Sequence, residues 1–194
     1  MIDAMRIAII GYSGSGKSTL ARKLGERLAI PVMYLDQVHW LPGWKERDDD
    51  DARAVVATFM NDHESWVIEG NYTNLLYDER MTQADVIIVM LFGRFRCFAR
   101  AVRRWLRYRG ASRPDMTPGC PEKIDAEFAW WLLIKGRNAA RRQRFVDTAH
   151  AHPDTAIIVR NPAQLARIRR YRMIRRNNRQ TDAVTAARPY RNHR

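Results

Sequence analysis

Residues 11–19 read GYSGSGKST. The spacing fits G-x-x-x-x-G-K-[ST], with Gly11, Gly16, Lys17 and Ser18 in the fixed places. The flanks sharpen the reading. RIAII before the motif is a β-branched apolar run of strand length, and TLARKLGERLA after it carries apolar residues at helical spacing. A strand that turns through glycines into a helix exposes backbone N–H groups and the positive end of a helix dipole, which together hold phosphate. Gly11, Ser13, Gly14, Ser15, Gly16, Lys17, Ser18 and Thr19 are the expected nucleotide contacts. The Lys17 ammonium is expected on the β- and γ-phosphates and the Ser18 hydroxyl on Mg²⁺.

Outward from this motif, strand and helix signals alternate. IPVMYL (30–35), SWVIEG (65–70), DVIIVMLF (85–92) and TAIIVR (155–160) read as strands. Helices are expected over 49–62, 72–84 and 94–109, over 122–150 as one or two pieces, and from Pro162 to Ile174. Residues 37–47 and 110–121 read as loops. The alternation predicts an α/β fold with a parallel sheet covered on both faces. Ligands of such sheets bind beyond the carboxyl ends of the strands, where the phosphate loop, Asp36 and Glu69 all fall.

The 194 residues are expected to form one domain, residues 1–176, followed by a basic, disordered tail over 177–194. No apolar run has the length of a membrane span, and the N-terminal residues lack a signal-peptide pattern. Cys97 and Cys120 have no metal-type spacing. Two reduced thiols and a cytoplasmic location are expected. The net charge of +13 is uneven. Residues 94–113 hold eight arginines and no acid, and residues 167–194 hold ten arginines and one acid, so the remaining body is mildly acidic.

The phosphate loop is followed by LDQVHWLPGW (35–44), WVIEGNY (66–72) and RYRGASRPDMTPGCPEK (107–123). With these motifs in this order, residues 5–165 resemble the FlaR-type DNA topology modulation proteins, relatives of adenylate kinase and shikimate kinase. The resemblance implies a three-layer, adenylate kinase-like P-loop NTPase with a five-stranded parallel sheet and an arginine-rich lid over about 104–121. It implies an ATP- and Mg²⁺-dependent phosphotransferase. Asp36 resembles the acid that follows the second strand of shikimate-kinase-like enzymes. It can accept a proton from an acceptor hydroxyl, hold Mg²⁺ through water, or cap a turn. Glu69 stands where relatives carry a metal-side Asp. The matching stretch Glu69-Gly70-Asn71-Tyr72-Thr73 lacks the arginine with which adenylate kinases grip the acceptor phosphate, and Arg80 is a candidate replacement. By the same resemblance Arg104, Arg109 and Arg113 are the lid arginines, and Arg160 with Asn161 lines the adenine pocket.

Pro42 and Gly43 suit the centre of a type II turn. Such a turn brings Trp40 and Trp44 to one side, where a flat ring can stack beside Asp36. Asn71 and Tyr72 complete the expected acceptor contacts. Arg100, Arg103, Arg104 and Arg107 share a helix face, with Gly110 and Gly119 as candidate hinges. The run Arg167, Arg169, Arg170, Arg172, Arg175, Arg176 and Arg179 can bind nucleic-acid phosphates without reading sequence. A nucleotide-dependent DNA-binding protein that modulates topology is therefore the rival reading.

Overall fold

The computed structural model describes residues 4–122 and 124–166. The basic run from Arg167 and the expected tail over 177–194 lie outside the described residues, as does most of the helix expected after Pro162.

Strand β1 (Arg6–Gly11) enters the phosphate loop, and α1 (Lys17–Leu28) leaves it. There follow β2 (Val32–Tyr34), a short helix α2 (Leu35–His39), a hairpin of β3 (Trp40–Leu41) and β4 (Lys45–Glu46), and α3 (Asp49–Asp62). Next come β5 (Trp66–Glu69), α4 (Tyr77–Gln83), β6 (Val86–Met90) and α5 (Arg94–Tyr108). The body closes with α6 (Ala126–Leu133), a 3₁₀ turn (Lys135–Arg137), α7 (Ala139–Ala151) and β7 (Ala156–Val159).

Five strands form one parallel sheet in the order β2-β5-β1-β6-β7. The chain moves from β1 out to β2, returns to β5, then crosses β1 to β6 and β7. Right-handed crossovers that run in opposite directions place their helices on opposite faces of the sheet. The sequence agrees: every residue of β5 and β6 is buried, as are Ile7–Gly11 of β1. Strands covered on both faces read as continuous apolar runs and not as alternation. Ile9, Ile10, Ile68 and Ile87 are inaccessible to solvent, each contributing about 1.5–3 kcal/mol by burial.

Side chains cap the starts of α3 and α7. Asp48 accepts from the N–H groups of Asp50 and Asp51 at 2.8 and 3.3 Å, and Asn138 accepts from that of Arg141 at 2.8 Å. The acids Asp49–Asp51 fill the first turn of α3, where the dipole favours negative charge.

The fold differs from the expected elements at two places, and it settles the third stretch, 122–150, as two pieces. The segment 37–47 is not simple loop: Leu35–His39 is helical, and Trp40–Leu41 pairs antiparallel with Lys45–Glu46. Residues 72–76 precede α4 and are not helical, because Leu76 is left-handed at φ 50° and the Arg80 side chain binds the carbonyls of Tyr72 and Leu75. The stretch 122–150 is two helices, broken by the 3₁₀ turn around Gly136, which packs against the Trp131 ring.

Contacts divide the chain after Val159. In the second unit the Arg160 N–H donates to Gln164 Oε1 at 2.7 Å, and Asn161 Oδ1 accepts from the Gln164 N–H at 2.9 Å. The expected adenine-side role of Arg160 and Asn161 falls in this unit.

Candidate active site

At the carboxyl end of β1 the chain turns through Tyr12–Gly16. Gly14 and Gly16 have φ of 74° and 93°, the left-handed region that glycine adopts without strain. Space imposes the same choice. A Cβ on Gly14 would lie 2.5 Å from the Cys97 carbonyl oxygen, and one on Gly16 would collide with the Arg100 guanidinium. Helix α5 is therefore seated directly on the loop, and it lays a positive charge beside the amides. The Gly11 N–H donates to Asn71 Oδ1 at 2.9 Å, while Asn71 Nδ2 donates to the Gly11 carbonyl at 2.7 Å. The amide expected to contact an acceptor thus also clamps the root of the loop to the end of β5. Ser15 is fully buried, and its hydroxyl has no hydrogen-bond partner among the described residues.

Lys17 Nζ lies 3.5 Å from Glu69 Oε1 and donates to the Tyr12 carbonyl at 3.4 Å. Glu69 is buried at the tip of β5. Burial pushes its carboxyl above the usual range, Lys17 opposes this, Asp36 adds to it, and a Ser18 hydrogen bond opposes it. Among the described residues no three His, Cys, Asp or Glu side chains group as a cation cage. Ser18 and Glu69 instead supply one hydroxyl and one carboxylate. Mg²⁺ bound with nucleotide needs only a few protein donors, because phosphate and water oxygens complete its octahedron. A buried carboxylate that is costly to ionise fits a cation beside it.

Asp36 sits on α2, just past β2. The Tyr72 hydroxyl donates to Asp36 Oδ1 at 3.0 Å, and Arg113 donates to Oδ2 at 2.8 Å. Burial and the facing carboxylate push the Tyr72 phenol far up, so it remains a donor. In the hairpin, Gly43 has φ 77°, as the central position of a type II turn requires. The Trp40 and Trp44 rings meet edge to face, 5.4 Å between centroids at 74°. His39 packs between Trp40 and Tyr72, 4.6 Å from each.

The arginine-rich segment is stitched to this hairpin. Gln37 Nε2 donates to the Pro114 carbonyl at 3.0 Å, and the Thr117 hydroxyl to that of Trp40 at 2.5 Å. The Gly43 N–H reaches the Gly119 carbonyl at 3.1 Å, and the Cys120 thiol reaches that of Leu41 at 3.3 Å. Of the two expected hinges, Gly110 has open space around it, whereas Gly119 is packed on Pro42.

The three expected lid arginines differ in environment. Arg113 is buried among carboxylates: Asp36 at 2.8 Å, Glu122 at 2.7 Å and Asp115 at 3.3 Å. Burial alone would lower its pKa, but Asp115, Asp36 and Glu122 outweigh that and the net shift is upward. Arg104 pairs with Glu122 at 2.7 Å, and burial with the neighbouring Arg113 charge lowers its pKa. Arg109 lies outside the cavity wall, its guanidinium 5.4 Å above the Trp105 ring. The candidate replacement Arg80 is no free cation either. It is fully buried, donating to Leu75 and Tyr72 carbonyls at 2.8 and 2.6 Å, and burial lowers its pKa to about 10.

One cavity of about 1160 Å³ joins these parts. Its wall includes Gly16–Thr19, Asp36, Trp40, Trp44, Glu69 and Tyr72. Among the arginines it takes Arg22 of α1, then Arg100, Arg103, Arg104, Arg107 and Arg113 from the segment foreseen, and also Arg141 and Arg144 of α7. The last two, with the counter-ions Asp115 and Glu122, were not picked out from the sequence. Arg141 follows Arg137 at i,i+4 spacing and Arg144 follows Arg141 at i,i+3, a signal that a helix reading alone leaves on a solvated face.

The five-stranded parallel sheet with its helices and the glycine-rich loop that follows β1 together give the chain an α/β P-loop fold. No protein-family model matches the chain. A protein of Thermococcus onnurineus (strain NA1) named "Putative adenylate kinase" is 25% identical over 158 residues, 79% of this chain and 80% of that one. Its namesake from Pyrococcus furiosus is 27% identical over 158 residues, with the same shares. Among solved structures, a shikimate kinase from Bacteroides thetaiotaomicron aligns at 18% identity and TM-score 0.49, over 80% of this chain and 86% of that one. An uncharacterized protein from Eubacterium ventriosum aligns with the same identity and TM-score, over 86% and 97%.

Proposed function

We propose that the chain is an ATP-dependent phosphotransferase that acts on a small hydroxylated acceptor. The observation that carries this is the shared cavity: phosphate-loop residues and Lys17 line the same space as Asp36 and the tryptophan pair. A protein that only bound nucleotide would have no use for a second, carboxylate-and-indole compartment continuous with the phosphates. The relatives named "Putative adenylate kinase" and the resemblance of the motif order to FlaR-type proteins support the same class.

The loop amides and Lys17 hold the β- and γ-phosphates. Ser18 and Glu69 would hold Mg²⁺, which supplies charge neutralisation on the phosphate oxygens. The acceptor hydroxyl oxygen bonds to the γ-phosphorus as the bond to the β–γ bridging oxygen breaks. That electron pair leaves on ADP, and the hydroxyl proton passes to an Asp36 oxygen. Arg100 and Arg103 neutralise charge on the transferring group, the term that dominates such reactions. Tyr72 and Arg113 fix the Asp36 carboxylate in place.

The test has two parts. Calorimetry with magnesium and ATP reports the donor site. A screen of small hydroxylated acceptors, with wild type and Asp36→Asn compared, reports transfer. Transfer that is lost in the variant supports the reading; ATP hydrolysis alone across the panel defeats it.

A further inference from the structure

Glu122 joins the cavity wall from the far end of the arginine-rich segment. Its N–H donates to the Ala111 carbonyl at 3.1 Å, and its backbone pairs with that of Arg109, so the two ends of the loop over 110–121 are tied together. The side chain is only 8% exposed and serves two cations. Oε1 accepts from Arg113 Nη1 at 2.7 Å and lies 2.7 Å from Arg104 Nε, while Oε2 accepts from Arg104 Nη2 at 3.4 Å.

Each nitrogen of Arg113 faces a different carboxylate. Nη1 is on Glu122, Nη2 donates to Asp36 Oδ2 at 2.8 Å, and Nε faces Asp115 at 3.3 Å. A guanidinium is a rigid planar fork. With Nη1 held by Glu122, its plane is set and Nη2 is aimed at Asp36.

In this cluster two guanidinium groups face three carboxylates, so it holds no surplus positive charge for a phosphate. Arg100 and Arg103 differ: both line the same cavity, and neither is ion-paired among the described residues. Arg113 is nonetheless near the phosphate end, because its charge acts on Glu69, the partner of Lys17. Burial and the Arg113 charge disfavour a charged Arg104, and Glu122 opposes them. Without Glu122, two buried like charges would face each other, and Arg113 would turn towards another anion. A bound triphosphate is the anion at hand.

We propose that Glu122 is a positioning residue: its carboxylate, shared between Arg104 and Arg113, holds Arg113 on Asp36 and away from the nucleotide phosphates. This rests on the phosphotransferase reading above. Arg104 and Arg113, lid arginines by resemblance, then serve the carboxylate of the acceptor side, and Arg100 and Arg103 are left to meet the transferring group.

The test is calorimetry on the full-length protein with magnesium and a non-hydrolysable ATP analogue, comparing wild type, E122Q, R113Q and E122Q/R113Q. E122Q keeps the size of the side chain and removes its charge. Its analogue affinity is expected to rise about tenfold, one charge-assisted contact with phosphate, because Arg113 is released. R113Q is expected within about twofold of wild type, whereas the same change made on E122Q should remove most of the gain. A merely structural Glu122 would leave E122Q with equal or weaker affinity, and either result overturns the proposal. An equal effect of R113Q in both backgrounds overturns it too, since that is charge acting through space. No analogue binding by wild type defeats the phosphotransferase reading itself, and this role with it. Should E122Q not fold, E122D takes its place in the same cycle and is read the same way, because its carboxylate is one methylene short of the pair it must span.

Discussion

Asp36 and Arg113 are 77 positions apart in sequence and joined at 2.8 Å across the mouth of the cavity. The contact ties α2 to the arginine-rich segment and takes one carboxylate oxygen, Tyr72 the other. Asp36→Asn should lower kcat by about 10²–10⁴, the usual worth of a positioned base, with ATP affinity nearly unchanged. An acceptor-dependent ADP assay checks it.

Arg113→Ala separates holding from catalysis. It leaves Glu122, Asp115 and Asp36 without their shared cation. The expected loss is about 2–4 kcal/mol in urea unfolding, below the full buried-pair value because Asp36 is partly open to water. A stability equal to wild type would show that the carboxylates find other partners.

Glu69 gives a pH-dependent pair of variants. Its raised carboxyl holds a proton more tightly when folded than when unfolded. That advantage is lost as pH rises from about 4.3, the unfolded value, through the raised one. Glu69→Gln should therefore raise the Tm of the nucleotide-free protein at neutral pH, with the difference shrinking towards pH ~4. Nucleotide affinity in the presence of magnesium should fall. Lys17→Ala should do the reverse to stability, costing about 1–3 kcal/mol because Glu69 loses its nearest cation. Adding Glu69→Gln to Lys17→Ala should recover most of that loss but no ATP turnover.

The arginines of α5 should not be equal. Arg100 lies on Gly16 and Arg103 lines the cavity, whereas Arg109 rests on Trp105 outside it. Arg100→Ala and Arg103→Ala are expected to reduce kcat by about 10²-fold or more, with Arg109→Ala within about tenfold of wild type. Steady-state kinetics on the three variants gives the order.

Arg80→Met keeps much of the side-chain volume but leaves the Tyr72 and Leu75 carbonyls unpaired. Destabilisation of about 2–4 kcal/mol is expected, together with a raised acceptor KM as the loop over 72–76 loosens. Denaturant melts and initial rates measure the two effects.

The sheet was legible because its signal is local. Central strands such as VIIVM are apolar throughout, and a glycine-rich turn after such a run has few other uses. The tryptophan turn was also legible, since Pro-Gly dictates its own dihedrals. The short helix Leu35–His39 was not, because five residues carry too little periodicity to register. The break between α6 and α7 falls at Gly136, which fits against the Trp131 ring five residues earlier, and the sequence left it open as one piece or two because a lone glycine in a helical pattern is tolerated. Arginine roles were the least readable. Helical spacing identified a basic face, but only the fold shows that Arg104 and Arg113 face Glu122 while Arg100 does not. Arg80, named from the sequence as a candidate acceptor contact, is instead a buried bracket, because carbonyls have no sequence signature.

The stitching of Gln37–Gly43 to Pro114–Cys120 has a kinetic corollary. On the phosphotransferase reading proposed above, walls held together in this way are expected to part as one, so that futile hydrolysis and reactant turnover would share a single gating frequency.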